Sequence, residues 1–450
     1  MLWFQPVFAM VEEAPTANPS LILAGVLLSL VVIYFASKIG GELCSRINLP
    51  SVLGELVGGV IIGVSAFKLL VFPEGGMGAE DSLIIQLLQT TANLVPGTEE
   101  VTFHTMSEVI EILSELGVII LLFEIGLESD LKELIRVGSS AAIVAVVGVV
   151  APFLLGTLGL IYLFHLGTVT AVFAGAALTA TSIGITAKVL AELGKLSSTE
   201  GQIIIGAAVL DDILGIIVLA VVASLAKTGE IQVSQIVYLV VAAATFLIGT
   251  ILLGRLISPY LVNMVNGMKT RGNILIVGLI FAFILSYIAN VIQLEAILGA
   301  FAAGLVLAET EKRKDLEKQI IPVADVFVPI FFVCVGAKTD LSVLNPAIPS
   351  NREGLIIASF LIVVAIIGKV VTGFTVWGQE KINKLAIGFG MIPRGEVGLV
   401  FAGVGSASGA LSPATDAAII VMVIATTFLA PPLLKAVFKE DTGEVETKTS

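Results

Sequence analysis

Apolar runs of helical length recur along this chain, separated by short polar connections. A spanning helix needs about 20 predominantly apolar residues. On that template the sequence predicts spans at 21–39, 49–72, 107–127, 137–165, 168–193, 200–226, 233–254, 273–292, 294–308, 319–337, 354–377, 384–410 and 414–437. That is about thirteen, the ninth being short. Basic residues then sort onto two sides. One side collects Lys38, Arg46, Lys132, Arg136, Arg255, Lys269 and the cluster Lys312 to Lys318, and the other only Lys68, Lys227, Lys338 and Arg352. The positive-inside rule places the N-terminus outside, the C-terminus in the cytoplasm and the Lys- and Arg-free stretch 73–106 outside.

An internal repeat is visible in the same pattern. Asn48-Leu49-Pro50-Ser51-Val52-Leu53-Gly54 with Gly59 resembles Gln293-Leu294-Glu295-Ala296-Ile297-Leu298-Gly299 with Gly304. Gly126-Leu127-Glu128-Ser129-Asp130-Leu131 echoes Gly336-Ala337-Lys338-Thr339-Asp340-Leu341. These matches pair the second span with the ninth and the third with the tenth. An odd register gives the halves opposite orientation, the inverted-topology repeat of a secondary transporter. The register also pairs the fifth span with the twelfth, and both are interrupted: the fifth by Thr179-Ala180-Thr181-Ser182, the twelfth by the Gly- and Pro-rich run from Gly388 to Gly398. Proline and glycine break helix continuity, and paired broken helices point to a binding site near mid-membrane.

Charge inside the spans singles out a few residues. Asp211 and Asp212 are adjacent in an apolar run with no basic residue within two turns. A charge at the centre of a spanning helix costs roughly 2.5–3.5 kcal/mol, and two neighbouring carboxylates titrate together. Such a pair suits an ion- or proton-handling site. Lys369 is placed mid-span, about a dozen residues from each end of 354–377, and takes Asp211 or Asp212 as its partner. Glu124 is read as either an inner-funnel carboxylate or a site ligand. Arg394 and Glu396 are placed to balance the ends of the broken helices, pairing with each other in preference to touching an ion. His104, His165, Asn290 and Gln293 fall in outside loops.

Composition narrows the class. The chain is 57% hydrophobic and 13% charged with mean hydropathy +1.05, which fits a polytopic helical membrane protein in lipid. The net charge of −12 resides largely in loops and tails and calls for no nucleic acid. No Walker motif or kinase-like glycine loop is present, so no nucleotide is expected. Cys44 and Cys334 make neither a disulfide framework nor a metal-ligand spacing. Met1 to Met10 is apolar but lacks a basic n-region, and is read as part of a translocated tail.

Several motifs together carry a resemblance. TATSIGITAKVLAELG at 179–194, the aspartate pair in GAAVLDDILG at 206–215, IGK at 367–369 and PRGEVGL at 393–399 resemble the NapA-type sodium/proton antiporters. These belong to the two-aspartate branch of the monovalent cation:proton antiporter superfamily, alongside Kef-type systems. The resemblance implies an all-α fold of about thirteen transmembrane helices, with inverted repeats and two crossed, broken helices (NhaA/NapA-like). It implies a six-helix core domain, a dimerisation domain and a homodimer. The expected divisions are an outside tail at 1–20, a first repeat at 21–227 with core helices at 107–227 and a linking helix at 228–271. A second repeat follows at 272–438, with core helices at 319–438, and a cytoplasmic tail at 439–450. It further implies that Asp212 is the main cation and proton carboxylate, where Na+ binds, while Asp211 pairs with Lys369. Asp-Asp at this position suggests electrogenic exchange of Na+ or Li+ for H+, whereas Phe123-Glu124-x-Gly126 is similar to electroneutral exchangers.

From the residues themselves, a hard monovalent cation wants oxygen ligands, here Asp212, Thr181, Ser182 and the broken backbone. Proton and cation compete for one carboxylate, which is the exchange rule, and no cofactor beyond the transported ions is needed. A K+/H+ antiporter, a Kef-type K+ efflux gate and a sodium-coupled solute symporter remain open alternatives. The expected location is a bacterial inner membrane or an internal energy-coupling membrane such as a thylakoid.

Overall fold

The computed structural model describes residues 18–73, 76–92, 97–228, 232–347, 349–377 and 382–446, and all regular structure among them is helical. α1 (Pro19–Arg46) and α2 (Ser51–Ile62) form a hairpin, and α3 (Leu83–Thr91) lies on the way to α4 (Glu99–Glu128). Short α5 (Leu131–Arg136) leads into α6 (Gly138–Tyr162), followed by the half-helices α7 (Thr168–Ala177) and α8 (Ile183–Glu192) and by α9 (Thr199–Thr228). α10 (Val233–Gly267) connects to α11 (Asn273–Val291), α12 (Ala296–Ala308) and α13 (Arg313–Ala337). α14 (Pro349–Gly373), the half-helices α15 (Lys384–Gly390) and α16 (Glu396–Ala407), and α17 (Pro413–Glu446) complete the chain. Eight of the described helices are long and apolar enough to cross a membrane, and four more are apolar but short. Each of the thirteen expected spans is one helix or one broken pair. The protein is an all-helical integral membrane protein.

Packing divides the helices into two bundles bridged by α10. One holds α1, α2, α4, α11, α12 and α13, hereafter the scaffold; the other holds α6 to α9 and α14 to α17, hereafter the core. The repeated sequence motifs are one contact used twice. A Cβ added at Gly59 of α2 would lie 2.9 Å from Gly336 Cα of α13. A Cβ at Gly126 of α4 would lie 2.9 Å from Gly304 Cα of α12. The repeat carries the pair Gly59–Gly336 onto the pair Gly304–Gly126, as a two-fold axis requires. Without side chains at these four positions the backbones touch, the usual solution where lipid supplies no hydrophobic drive between helices.

Five expectations are corrected. Core membership does not extend to 107–127 and 319–337: α4 and α13 are held in the scaffold by those glycine contacts. The second span ends at Ile62, not 72, because Gly63 packs on the Ala337 backbone and the chain turns back, with Lys68 at φ 49°. α4 starts at Glu99, so His104 is helical and pairs with Glu100 at 3.3 Å; Asn290 likewise sits in the last turn of α11. α14 stops at Gly373, where the backbone meets that of Lys384, so Lys369 stands four residues from the helix end. α17 continues to Glu446, into the expected tail, while 447–450 and most of 1–20 lie outside the described residues.

The ends of α1, α4 and α8 share one face with the start of α2, where Ser51 N donates to Glu192 and Ser197 Oγ donates to the Glu128 carbonyl. This is the basic face. The opposite, acidic face carries the connection 63–98. There, two cavities of about 560 and 700 Å³ open between scaffold and core. The first is lined by Glu111, Glu115, Asn290 and Lys338 on one side and by Ile216 and Leu399 on the other.

Candidate functional site

The two broken helices cross at their breaks. In the first, α7 ends at Ala177 and Thr179 turns its hydroxyl onto the Ala176 carbonyl (2.7 Å), a local bond that competes with helix continuation. In the second, Pro393 cannot donate an amide and restricts Ile392 to extended backbone. The chain re-enters a helix at Glu396. The crossing is stitched by Ser182 N to the Pro393 carbonyl (2.8 Å), Thr181 Oγ1 to the Met391 carbonyl (3.2 Å) and Thr186 Oγ1 to the Gly390 carbonyl (2.7 Å).

Each break leaves carbonyls at a helix C-terminus without an intrahelical partner and with partial negative charge. Fully buried Arg394 answers both. Its guanidinium donates to the Leu178 carbonyl at the end of α7 (2.5 Å) and to Met391 and Ile392 at the end of α15 (3.3 Å each). The Arg394 carbonyl in turn accepts the Thr427 hydroxyl from α17. Glu396 opens α16, and its side chain lies outside the described residues.

α9 runs past this crossing, with Gly215 facing Ala180 across 3.7 Å to an added Cβ. Asp211 and Asp212, four and three residues earlier, lie one turn away on that side of the helix. Asp211 is fully buried and Asp212 is 4% exposed. Lys369, also fully buried, places Nζ 3.1 and 3.3 Å from the two Asp211 oxygens. The charges acting on this ammonium are Asp211, Arg394 and Asp212. On α6, Gly148 makes the room: a Cβ there would stand 3.2 Å from Nζ. The geometry thus balances one aspartate internally and keeps a second carboxylate beside it.

Oxygens for a cation are present at the crossing. Thr181 spends its hydroxyl proton on Met391, which keeps its lone pairs for a ligand. The Ser182 hydroxyl is buried with no hydrogen-bond partner among the described residues. Gly395 leaves space for it, since a Cβ there would lie 2.8 Å from Ser182 Oγ. Glu124 is elsewhere: the charges acting on it are Lys188, Glu128, Asp325 and Glu317, toward the basic face.

Comparison with known proteins gives the family and the fold. Residues 25–440 match the family described as sodium/hydrogen exchanger, transmembrane. The chain belongs to that family. The high-affinity Na(+)/H(+) antiporter NhaS3 of Synechocystis is 72% identical over 97% of this exchanger-family chain and 95% of its own length. The Na(+)/H(+)-K(+) antiporter GerN of Bacillus cereus is 32% identical over 91% and 95%. The fold matches that of the sodium proton antiporter MjNhaP1 from Methanocaldococcus jannaschii, with a TM-score of 0.62, 17% identity and coverage of 93% and 97%.

Within this family member, sequence reasoning missed Gly148, Thr186, Gly395 and Thr427. The buried Thr426-Thr427 pair in apolar α17 was a readable signal, a polar step in a span aligned with the breaks. The glycines carried none, because their roles depend on what packs against them.

Proposed function

We propose that the chain exchanges Na+ or Li+ for H+ across a membrane, with Asp212 as the carboxylate that proton and cation occupy in turn. The observation that carries this reading is the buried Lys369–Asp211 pair, 3.1 Å long, beside a second buried carboxylate. Lys369 neutralises Asp211 within the protein, and Asp212 beside it is the carboxylate whose charge state changes during a cycle. Ser182 Oγ, Thr181 Oγ1 and backbone carbonyls of the breaks complete an oxygen shell of the kind a hard cation prefers. Family membership and the 72% identical antiporter support the same reading.

Cation loading at Asp212 weakens the hold of the carboxylates on Lys369, and proton loading restores it. If Lys369 sheds its proton in that step, more than one proton moves per cation and exchange is electrogenic. Access alternates as the core moves against the scaffold, and the cavities on the acidic face mark the open side of this state. The acidic face is read as outside and the basic face as cytoplasmic, in a bacterial inner or internal energy-coupling membrane, with the protein a homodimer. The test is proton flux in proteoliposomes on addition of Na+, Li+ or K+, with and without imposed voltage. Asp212→Asn is expected to fold, since it removes a buried charge, and to abolish exchange; near-parental flux in that variant overturns the assignment.

A further inference from the structure

At the basic face, where Ser197 reaches the Glu128 carbonyl, the two bundles also meet through a carboxylate. Glu192, the last residue of α8 in the core, reaches the first turn of α2 in the scaffold. One carboxylate oxygen accepts the Ser51 amide at 2.9 Å and the other accepts the Ser51 hydroxyl. The first amides of a helix need acceptors from outside it. α2 begins after Pro50, which offers no side-chain cap, so the acceptor comes from the other bundle. One turn earlier on α8, Lys188 acts on Glu55 of α2 and on Glu124 and Glu128 of α4. A core cation is thus set against three scaffold carboxylates beside the capping contact.

The same half-helix links this contact to the crossing. α8 begins at Ile183, next to Ser182, and ends at Glu192, so ten residues of unbroken helix span the distance. Any displacement of the crossing relative to α2 displaces Glu192 with it. The two cavities between the bundles lie at the other face.

We propose that Glu192 and Ser51 form a latch that holds the core against the scaffold at the basic face, positioning the site for access from the acidic face, and that the latch parts and re-forms in each cycle. This rests on the alternating-access reading above. Opening is an equilibrium between two states, so weakening a contact made in one of them raises the population of the other.

The experiment reads accessibility, not transport. In a Cys44→Ser, Cys334→Ser background, Val52→Cys introduces a thiol at a fully buried position in the first turn of α2. A membrane-impermeant maleimide is applied from the basic side of reconstituted protein. Glu192→Ala is expected to raise the labelling rate by about three- to tenfold, the loss of an exposed hydrogen bond to a charged group. Ser51→Ala, which keeps the amide, should raise it less, and serves if Glu192→Ala fails to fold. The control is Glu200→Ala: Glu200 accepts the Asn383 amide at 3.0 Å within the core alone, and loss of that bond should leave labelling unchanged. Parental labelling in both latch variants, or an equal rise in Glu200→Ala, overturns the latch. A protein that shows latch-sensitive labelling but no cation-driven proton flux would instead overturn the exchange reading.

Discussion

Helices approach each other closely at two kinds of place in this molecule, and the contacts are made differently. In the scaffold, Gly59 meets Gly336 and Gly126 meets Gly304, backbone on backbone, with no polar side chain involved. At the crossing of the broken helices, backbone also meets backbone, but Thr181, Thr186, Arg394 and Thr427 mediate it through hydrogen bonds. The first solution admits one arrangement and no water. The second keeps lone pairs and a buried hydroxyl at the point of contact, the oxygens that the proposed exchange assigns to the cation. The inverted repeat supplies the glycine contact twice and contributes one broken helix from each half to the crossing.

The sharpest way to break the comparison is to fill a scaffold contact. A Cβ at Gly304 collides with the Phe123 carbonyl and lies 2.8 Å from Gly126 Cα, so Gly304→Val forces α4 and α12 apart. Ordinary overpacking costs about 1–3 kcal/mol; here the colliding atoms are backbone and no rotamer relieves them. Gly304→Val and its repeat counterpart Gly59→Val are both expected to lose monodisperse, folded protein in detergent. A parental melting temperature in either would remove the close approach as a structural requirement.

Removing the ammonium from the core is the next largest effect. Breaking a buried pair by deleting one partner costs roughly 3–5 kcal/mol when the other charge is left bare. In Lys369→Gln, Asp211 can take up a proton instead, which caps the loss. The variant is expected to fold with a lower melting temperature, to retain some cation-driven proton flux and to lose its response to imposed voltage. Flux as voltage-sensitive as the parent's would leave Lys369 structural, with the extra proton on Asp211 or Glu124.

These two predictions also mark how far the sequence could be read. Spans, the repeat and both breaks were legible because each follows from local chemistry: apolar length, spaced glycines, Pro393 and the Thr-Ala-Thr-Ser run. Lys369 was legible as a buried cation in need of a carboxylate. Its depth was not, because α14 ends where Gly373 meets Lys384, eleven residues away in sequence. Arg394 was legible as balancing the broken ends. Its acceptors are backbone carbonyls of Leu178, Met391 and Ile392, and a carbonyl carries no sequence signature. The assignment of α4 and α13 failed for the same reason: amphipathic pattern is silent on which bundle a span joins.

Smaller effects sharpen the polar side of the comparison. Thr181 and Ser182 replaced together by Ala remove two oxygens from the crossing; among the described residues Thr181 Oγ1 makes a hydrogen bond and Ser182 Oγ makes none. At about 1 kcal/mol per lost polar contact, about 2 kcal/mol for the two, the apparent cation affinity should fall by about thirtyfold, with insertion and folding kept. Unchanged affinity in the flux assay would make both hydroxyls structural and leave the cation to carboxylate and backbone.

The smallest expected effect contrasts the buried Lys369–Asp211 pair with a half-buried one of the same chemistry. On the acidic face, Lys68 Nζ lies 2.7 Å from Asp81, and the Lys68 carbonyl accepts the Leu83 amide at 3.0 Å, closing the 68–83 turn. The lysine hydrogen bond, with a further bond from the Gly78 amide, holds the Asp81 carboxyl below its ordinary value. A depressed carboxyl contributes stability above its unfolded pKa of about 3.9 and loses it as pH falls through the folded value. Surface pairs are worth little because water and salt screen them. Lys68→Gln should therefore leave cation-driven proton flux at the parent level. It should modestly speed amide exchange over residues 78–83 at pH 7, with the ratio to the parent approaching unity as the pH drops below about 3.9. A ratio that stays constant across that range would mean the turn is held by the Leu83 amide bond alone, and a change in flux would mean that this half-buried pair reaches the site.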